Sequence, residues 1–149
     1  MKGSTQVSPK LSIGAQPAPE DLHQIATSGF KSVVNLRTED EEDQQLTPAE
    51  EGSQVRELGL EYRHIPVSPK ALNDETVDRF RAELSELPTP ILIHCASGKR
   101  AGALTTIYFA IDKGLTGDEA LSFAENEFDF SCDNEEMRDF VRDSIDARR

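Results

Sequence analysis

The positions of the apolar residues predict short strands that alternate with helices. Strands are indicated at 10–14, 33–36, 62–67 and 91–93, where apolar residues follow one another or alternate with polar ones. Helices are indicated at 22–29, 48–58, 73–87 and 100–114, and twice more after residue 115, where apolar residues recur every three or four positions. This order favours a three-layer α/β fold, with a mainly parallel central sheet of four to five strands flanked by helices.

Capping signals indicate where the last two helices start. Thr116 is followed three residues later by Glu119, which is the spacing of a capping box, and Asp133 and Glu136 repeat that spacing. The first eight residues carry no comparable pattern, so we expect them to form a loose tail. The whole chain, residues 1–149, is predicted to be a single domain, since its length suits one hydrophobic core.

One stretch combines a strand, a loop and the start of a helix. The apolar run 91–93 ends at His94 and Cys95, four residues follow, and helical spacing begins at Arg100. Backbone N–H groups in such a loop can point inward and bind an anion, and the helix dipole adds roughly half a positive charge. The same field favours the thiolate form of a cysteine at the start of the loop. Cys95 is therefore predicted to be a nucleophile that faces an anion.

The anion that best suits this loop is a phosphate. The planar guanidinium of Arg100 can hold two phosphate oxygens at once, which the single amine of a lysine cannot do. The predicted phosphate-binding residues are those of the loop itself: Ala96, Ser97, Gly98, Lys99 and Arg100. Gly98 is the position where the loop could need a positive φ angle or an unobstructed backbone.

Charge and composition exclude several kinds of partner. The formal net charge of −12 at pH 7 would repel nucleic acid and anionic membrane surfaces, so neither is expected as a partner. No apolar run approaches the roughly 20 residues of a membrane span, and the N-terminus lacks the apolar segment of a signal peptide. A cytoplasmic location is therefore predicted. His23 and His64 lack the neighbouring ligands of a metal site, so we predict no metal and no cofactor.

The same residues resemble a known superfamily. His-Cys, a small-residue loop and an arginine resemble the phosphate-binding loop of the Cys-dependent protein tyrosine and dual-specificity phosphatases. Upstream, Leu11–Pro17, Ser32–Arg37 and Glu61–Val67 resemble the successive strands of that superfamily, in the same order. Within it, residues 8–128 resemble the bacterial beta-lactamase-hydrolase-like phosphatases, a eukaryotic-like branch.

The resemblance implies a fold, a reaction and roles for residues. It implies a phosphatase-like α/β domain that hydrolyses a phosphorylated protein or a small-molecule phosphomonoester through a phosphocysteine, without a metal. Cys95 and Arg100 would be catalytic residues, and the ring of His94 would orient the loop.

Two features depart from the superfamily's usual pattern. The usual loop has five residues between Cys and Arg, whereas four separate Cys95 from Arg100, as in rhodanese sulfurtransferases. Ala101 replaces the usual hydroxyl residue that would assist the departing thiolate. Two alternatives therefore stay open: a sulfurtransferase that carries a persulfide on Cys95, and a module that binds phosphate without turning it over.

The general acid is the least well defined of the expected catalytic groups. In the related dual-specificity enzymes an aspartate follows the strand that resembles residues 62–65, but here Ser68 and a proline stand in that place. The first acid after it is Asp74, which we predict to be the general acid, with Glu75 as a second candidate. Asp74 can instead cap the helix that begins there. Residues 38–48, which contain the acidic run 39–43, are interpreted as a solvated surface loop.

Overall fold

The computed structural model describes residues 4–68, 72–127 and 134–149. The strands in this part of the chain are β1 (Ser4–Ser8), β2 (Leu11–Gly14), β3 (Ser32–Asn35), β4 (Glu61–His64) and β5 (Ile91–His94). The helices are α1 (Leu22–Thr27), α2 (Pro48–Glu57), α3 (Asp74–Ser85), α4 (Lys99–Lys113), α5 (Gly117–Glu127) and α6 (Glu135–Asp146). No helix among them is long and apolar enough to span a bilayer.

The strands form one mixed sheet in the order β1-β2-β5-β3-β4. Strands β2, β5, β3 and β4 run parallel, and β1 pairs with β2 in the antiparallel direction at the edge. Because parallel strands end at the same edge, Gly14, Asn35 and His94 are neighbours at the carboxyl end of the sheet. A mainly parallel sheet of four to five strands was predicted from the sequence, and the prediction is confirmed.

Both faces of the sheet are covered, because the central strands carry apolar side chains in both directions. One face, with Val33 and Leu92, packs against α1 and α2. The opposite face, with Val34 and Ile93, packs against helices from the second half of the chain. Strand β5 is buried along its whole length, as expected for the central strand of a parallel sheet. The predicted three-layer arrangement is therefore confirmed.

The expectation of a loose N-terminal tail is wrong for residues 4–8. This segment forms β1, which pairs with β2 from Ser4 opposite Gly14 to Ser8 opposite Leu11. Of its side chains, Val7 alone is buried. An edge strand of this kind is held mainly by backbone hydrogen bonds, which a polar sequence supplies as well as an apolar one. The interpretation of residues 1–149 as one domain stays a prediction.

Helix caps follow the sequence signals in one case and depart from them in another. Thr116 and Glu119 form the expected reciprocal bonds: each side chain accepts a hydrogen bond from the other's backbone N–H. At α6 the capping residue is Asn134, whose side chain accepts from the amide of Met137. The expected cap, Asp133, lies outside the described residues, and so does Cys132.

Candidate active site

Cys95 lies directly after β5, at the carboxyl end of the sheet, and its side chain is a buried free thiol. The backbone amides of Gly98 and Ala101 donate to its sulfur at 3.2 Å and 3.4 Å. Such a pair of donors suits a sulfur that carries negative charge. The loop from Cys95 to Arg100 is therefore wrapped around its own first residue.

Gly98 makes this wrapping possible. It precedes α4 with a φ angle of 99°, a left-handed conformation that glycine adopts without strain. A Cβ atom there would meet the backbone of Gly14 in β2 at 3.6 Å, an ordinary van der Waals contact, so the φ angle and not crowding favours glycine. Gly98 is the N-cap of α4 and has no side chain to accept from the first amides of the helix, and amides at a helix N-terminus can bind an anion.

Arg100 is only 6 % exposed, and Glu41 and Val67 hold its guanidinium. One terminal nitrogen, Nη1, donates to Glu41 Oε2 and to the carbonyl of Val67, both at 2.7 Å. The other, Nη2, donates to Glu41 Oε1 at 2.9 Å. The bond to Glu41 raises the pKa of Arg100, so the guanidinium stays charged, and the negative charge of a Cys95 thiolate acts in the same direction.

Glu41 is the partner of Arg100 and lies in the acidic run 39–43. Besides Arg100, it accepts from the amide of Thr38 at 2.6 Å and from Arg37 Nε at 3.0 Å. The bond from Arg100 contributes most to lowering the pKa of Glu41, from 4.5 to about 2, against the opposing effect of burial. The interpretation of this run as a solvated loop is therefore wrong for Glu41, because two arginines draw its carboxylate inward.

A second buried carboxylate lies at the other end of the loop. Glu51 of α2 contacts His94 Nε2 at 2.7 Å, and the Nδ1 atom of His94 is 3.3 Å from the carbonyl oxygen of Cys95. Burial would raise the pKa of Glu51, but the hydrogen bonds from His94 and Gln16 outweigh it and the net pKa is lowered. These two contacts hold the ring of His94 in one orientation, and the loop-orienting role that the resemblance implies for it stays a prediction.

Gln16 and Arg37 connect these two carboxylates. Gln16 Nε2 donates to Glu51 Oε1 at 2.8 Å, and Arg37 Nη1 donates to Gln16 Oε1 at 3.2 Å. Arg37 in turn donates to Glu41. A continuous path of polar contacts therefore runs from His94, which precedes Cys95, to Arg100, which ends the loop.

An open cavity of about 1090 Å³ lies in front of the loop. Its lining includes four of the five predicted phosphate-binding residues, namely Ala96, Ser97, Lys99 and Arg100. The rest of the lining is mostly polar and acidic: Gln16, Arg37, Asp40, Glu41, Glu42, Asp43 and Met137. Of the charged lining residues, Arg37 and Arg100 are buried, whereas the acids Asp40, Glu42 and Asp43 are exposed.

The structure does not bring Asp74 to this cavity. Its side chain is 80 % exposed and pairs with Arg148 near the C-terminus at 3.4 Å. The cap of α3 is Asn73, whose side chain accepts from the amide of Thr76 at 2.9 Å. Asp74 follows as the first residue of the helix, where a carboxylate favours the helix dipole. Asp74 is absent from the cavity lining, and its role as general acid stays a prediction; Glu75 lies in the same helical turn.

Some residues of the site escaped sequence reasoning. Glu41 is one of five consecutive acids, and nothing in the sequence singles it out. Glu51 carries a signal, because it lies four residues before Val55 and so shares the apolar face of α2. Within the described ranges, no group of three or more histidine, cysteine or acidic residues could hold a metal ion.

Comparison with known proteins relates this arrangement to phosphatases. A beta-lactamase hydrolase-like protein from Agrobacterium fabrum is 30 % identical over 122 residues. That stretch is 82 % of this chain but only 28 % of the relative, so this chain spans little more than a quarter of that protein. Among solved structures, Tk-PTP in its active form superposes with a TM-score of 0.81 at 19 % identity, over 99 % of both chains.

A second solved structure carries a ligand. TpbA of P. aeruginosa, crystallised with phosphotyrosine, superposes with a TM-score of 0.68 at 17 % identity, over 99 % of this chain and 96 % of TpbA. These two likenesses show the fold. The family assignment comes from residues 4–112, which match the family described as beta-lactamase hydrolase-like protein, phosphatase-like domain. That match covers most of the chain and confirms the resemblance noted in the sequence, so the chain belongs to this phosphatase-like family.

Proposed function

We propose that the chain is a metal-free phosphomonoester hydrolase that acts through a phosphocysteine on Cys95. The observation that carries the proposal is the buried thiol, which accepts two backbone amides at the end of β5 and lies beside the charged Arg100. Membership of a phosphatase-like family supports the same reaction class.

The reaction divides into two displacements at phosphorus. In the first, the Cys95 thiolate forms the S–P bond while the P–O bond of the ester breaks, and the leaving oxygen takes a proton. In the second, water attacks the phosphocysteine, which releases inorganic phosphate and restores the thiolate. Arg100 and the amides from Ala96 to Arg100 hold the equatorial oxygens in both transition states.

No aspartate near the loop is assigned as the acid for the leaving oxygen. Asp74 is turned toward Arg148, so the proton comes from another group or from water. An activated aryl phosphate needs this help least, because its leaving oxygen is a weak base. We therefore expect the chain to hydrolyse aryl phosphates faster than alkyl phosphates.

The substrate is proposed to be a phosphorylated protein or a small-molecule phosphomonoester. Asp40, Glu42 and Asp43 are exposed around the cavity, and the whole chain is acidic. This charge disfavours substrates that carry further negative groups next to the phosphate. A cytoplasmic location is proposed with it, since Cys95 must stay reduced to react.

The test is hydrolysis of p-nitrophenyl phosphate by the wild-type chain, Cys95→Ser and Cys132→Ser. Cys132 is the matched control, since it is the other thiol of the chain. We expect turnover by the wild type and by Cys132→Ser, and none by Cys95→Ser, because a hydroxyl is a far weaker nucleophile than a thiolate. Turnover by Cys95→Ser at the wild-type rate would rule out the mechanism.

The spacing of four residues between Cys95 and Arg100 favours a second candidate, a sulfurtransferase. Cys95 would take the outer sulfur of thiosulfate as a persulfide and release sulfite, and cyanide would then remove that sulfur as thiocyanate. Thiocyanate production without any phosphatase activity would favour the sulfurtransferase over the phosphatase.

Calorimetry with inorganic phosphate, next to the two activity assays, tests the third possibility, a binding module. Such a module would bind phosphate but would turn over neither p-nitrophenyl phosphate nor thiosulfate.

A further inference from the structure

The contacts of Arg100 leave one edge of its guanidinium available. Arginine has five N–H donors, and in the described part of the chain Glu41 and Val67 take both donors of Nη1 and one of Nη2. The second Nη2 donor and Nε–H form the other edge, and Cys95 is a further partner of Arg100. A phosphate can therefore bind bidentately at this edge while Glu41 remains in place.

Glu41 is itself held in the orientation that this arrangement needs. Its Oε2 atom accepts from the amide of Thr38, and its Oε1 atom accepts from Arg37 Nε. Its side chain is 15 % exposed, and its lowered pKa keeps the carboxylate charged across the whole range of ordinary assays. The hydroxyl of Thr38 also donates to Oε2, so a substrate phosphate would have to break five hydrogen bonds to displace Glu41.

The support of Glu41 continues beyond Arg37. Gln16 bridges Arg37 to Glu51, and Glu51 contacts His94 on the other side of Cys95. We call these four residues, Gln16, Arg37, Glu41 and Glu51, the clamp. The clamp therefore contacts the residues at both ends of the loop, through side chains from α2 and from the segments that follow β2 and β3.

We infer that Glu41 is a positioning residue, which fixes the guanidinium of Arg100 so that the edge formed by Nε and Nη2 faces the phosphate bound at Cys95. The inference rests on the proposed function, since it assigns a second residue to the same phosphate site. It extends the catalytic set to a residue that touches neither the thiol nor the substrate.

The opposite possibility is that Glu41 occupies the place of the phosphate and inhibits the enzyme. The two roles predict opposite changes in the reaction rate when Glu41 is altered. A positioning residue, when altered, slows the reaction, and an inhibitory carboxylate, when altered, speeds it. The edge of Arg100 that Glu41 uses decides between them on the structure, because Glu41 binds the edge formed by Nη1 and Nη2.

The test compares Glu41→Asp and Glu41→Gln with Glu39→Gln. Aspartate keeps the charge but is one methylene too short for both contacts with Arg100, and glutamine keeps the size but loses the charge. Glu39 is the matched control, because it is an exposed acid of the same run outside the cavity lining. We expect kcat for p-nitrophenyl phosphate to fall roughly 10- to 100-fold in both Glu41 variants, as for a misplaced catalytic group, and to stay unchanged in Glu39→Gln.

A second readout does not require turnover. Iodoacetate is an anion that Arg100 can hold next to Cys95, whereas iodoacetamide is neutral, so the ratio of their alkylation rates at Cys95 reports the position of Arg100. Peptide mass spectrometry assigns the modification to Cys95 rather than Cys132. We expect this ratio to fall in Glu41→Asp, where the charge is unchanged, by a factor similar to the fall in kcat.

The outcomes separate the two claims. A rise in kcat or in the alkylation ratio in Glu41→Asp would overturn the inference and favour inhibition. Unchanged values of both would also overturn it, because Glu41 would then neither position nor inhibit. A wild type without phosphatase activity would overturn the proposed function alone, since the alkylation ratio still tests Glu41. Thermal unfolding of each variant checks that a loss is measured on folded protein.

Discussion

Two carboxylates support the ends of the loop, and their surroundings differ. Glu51 is 1 % exposed, and both of its oxygens accept hydrogen bonds, from His94 and from Gln16. Glu41 is 15 % exposed and borders the cavity. The comparison indicates two different roles. Glu51 stabilises the fold next to the loop, whereas Glu41 positions Arg100 for a phosphate bound in the cavity.

A structural role for Glu51 predicts that removing its charge lowers the free energy of unfolding far more than removing the charge of the neighbouring Glu50. Glu51→Gln breaks a fully buried pair with His94, and loss of one partner of such a pair costs about 3–5 kcal/mol. Glu50→Gln is the control, because Glu50 is exposed and a glutamine can keep its place in the capping box of α2. Urea unfolding of both variants measures the difference. Equal free energies of unfolding for Glu51→Gln and Glu50→Gln would show that Glu51 has no special role in stabilising the fold.

The pH dependence of stability tests Glu41. Its pKa is lowered in the fold from 4.5 to about 2, so its contribution is fully present above 4.5 and is lost as the pH falls toward 2. The free energy of unfolding of the wild type should therefore exceed that of Glu41→Gln at neutral pH, and the gap should narrow below pH 4.5. Urea titrations at several pH values measure it. A difference in free energy of unfolding that grows as the pH falls would contradict a lowered pKa of Glu41 in the fold.

The smallest effect is expected at Asp74, a carboxylate that contacts neither end of the loop. Asp74→Asn should change the hydrolysis of neither an alkyl nor an aryl phosphate, because the side chain faces Arg148 and not the cavity. A general acid would behave differently: its loss would slow the alkyl substrate by roughly 10²–10⁴-fold and the aryl substrate far less. Such a selective loss would restore Asp74 to the mechanism.

The parts of the fold that the sequence predicted are those set by local patterns. The buried strand β5, the loop and α4 follow from an apolar run, a glycine and a helical stripe within about 25 residues, and the structure has them in that order. The edge strand β1 was missed because Val7 is its only buried side chain, and hydrogen bonds to β2 do most to hold it in place.

The contacts of the clamp could not be predicted, because they join residues far apart in the chain. Glu41 meets Arg100 across 59 positions and Glu51 meets His94 across 43. Which acid of the run 39–43 turns inward depends on where Arg37 and Arg100 lie in the folded sheet. The contact of Asp74 with Arg148 could not be predicted for the same reason, since the two residues are 74 positions apart.

The central claim is that Cys95 carries the phosphoryl group during turnover. Ala101 lacks the hydroxyl that would assist departure of the thiolate, so hydrolysis of the intermediate should be slow and the phosphocysteine should accumulate. The most direct measurement is a rapid quench with p-nitrophenyl phosphate, followed by peptide mass spectrometry. The account predicts one phosphoryl group on the Cys95 peptide. Release of p-nitrophenol with no phosphoryl group on Cys95, and with undiminished turnover by Cys95→Ser, would contradict it.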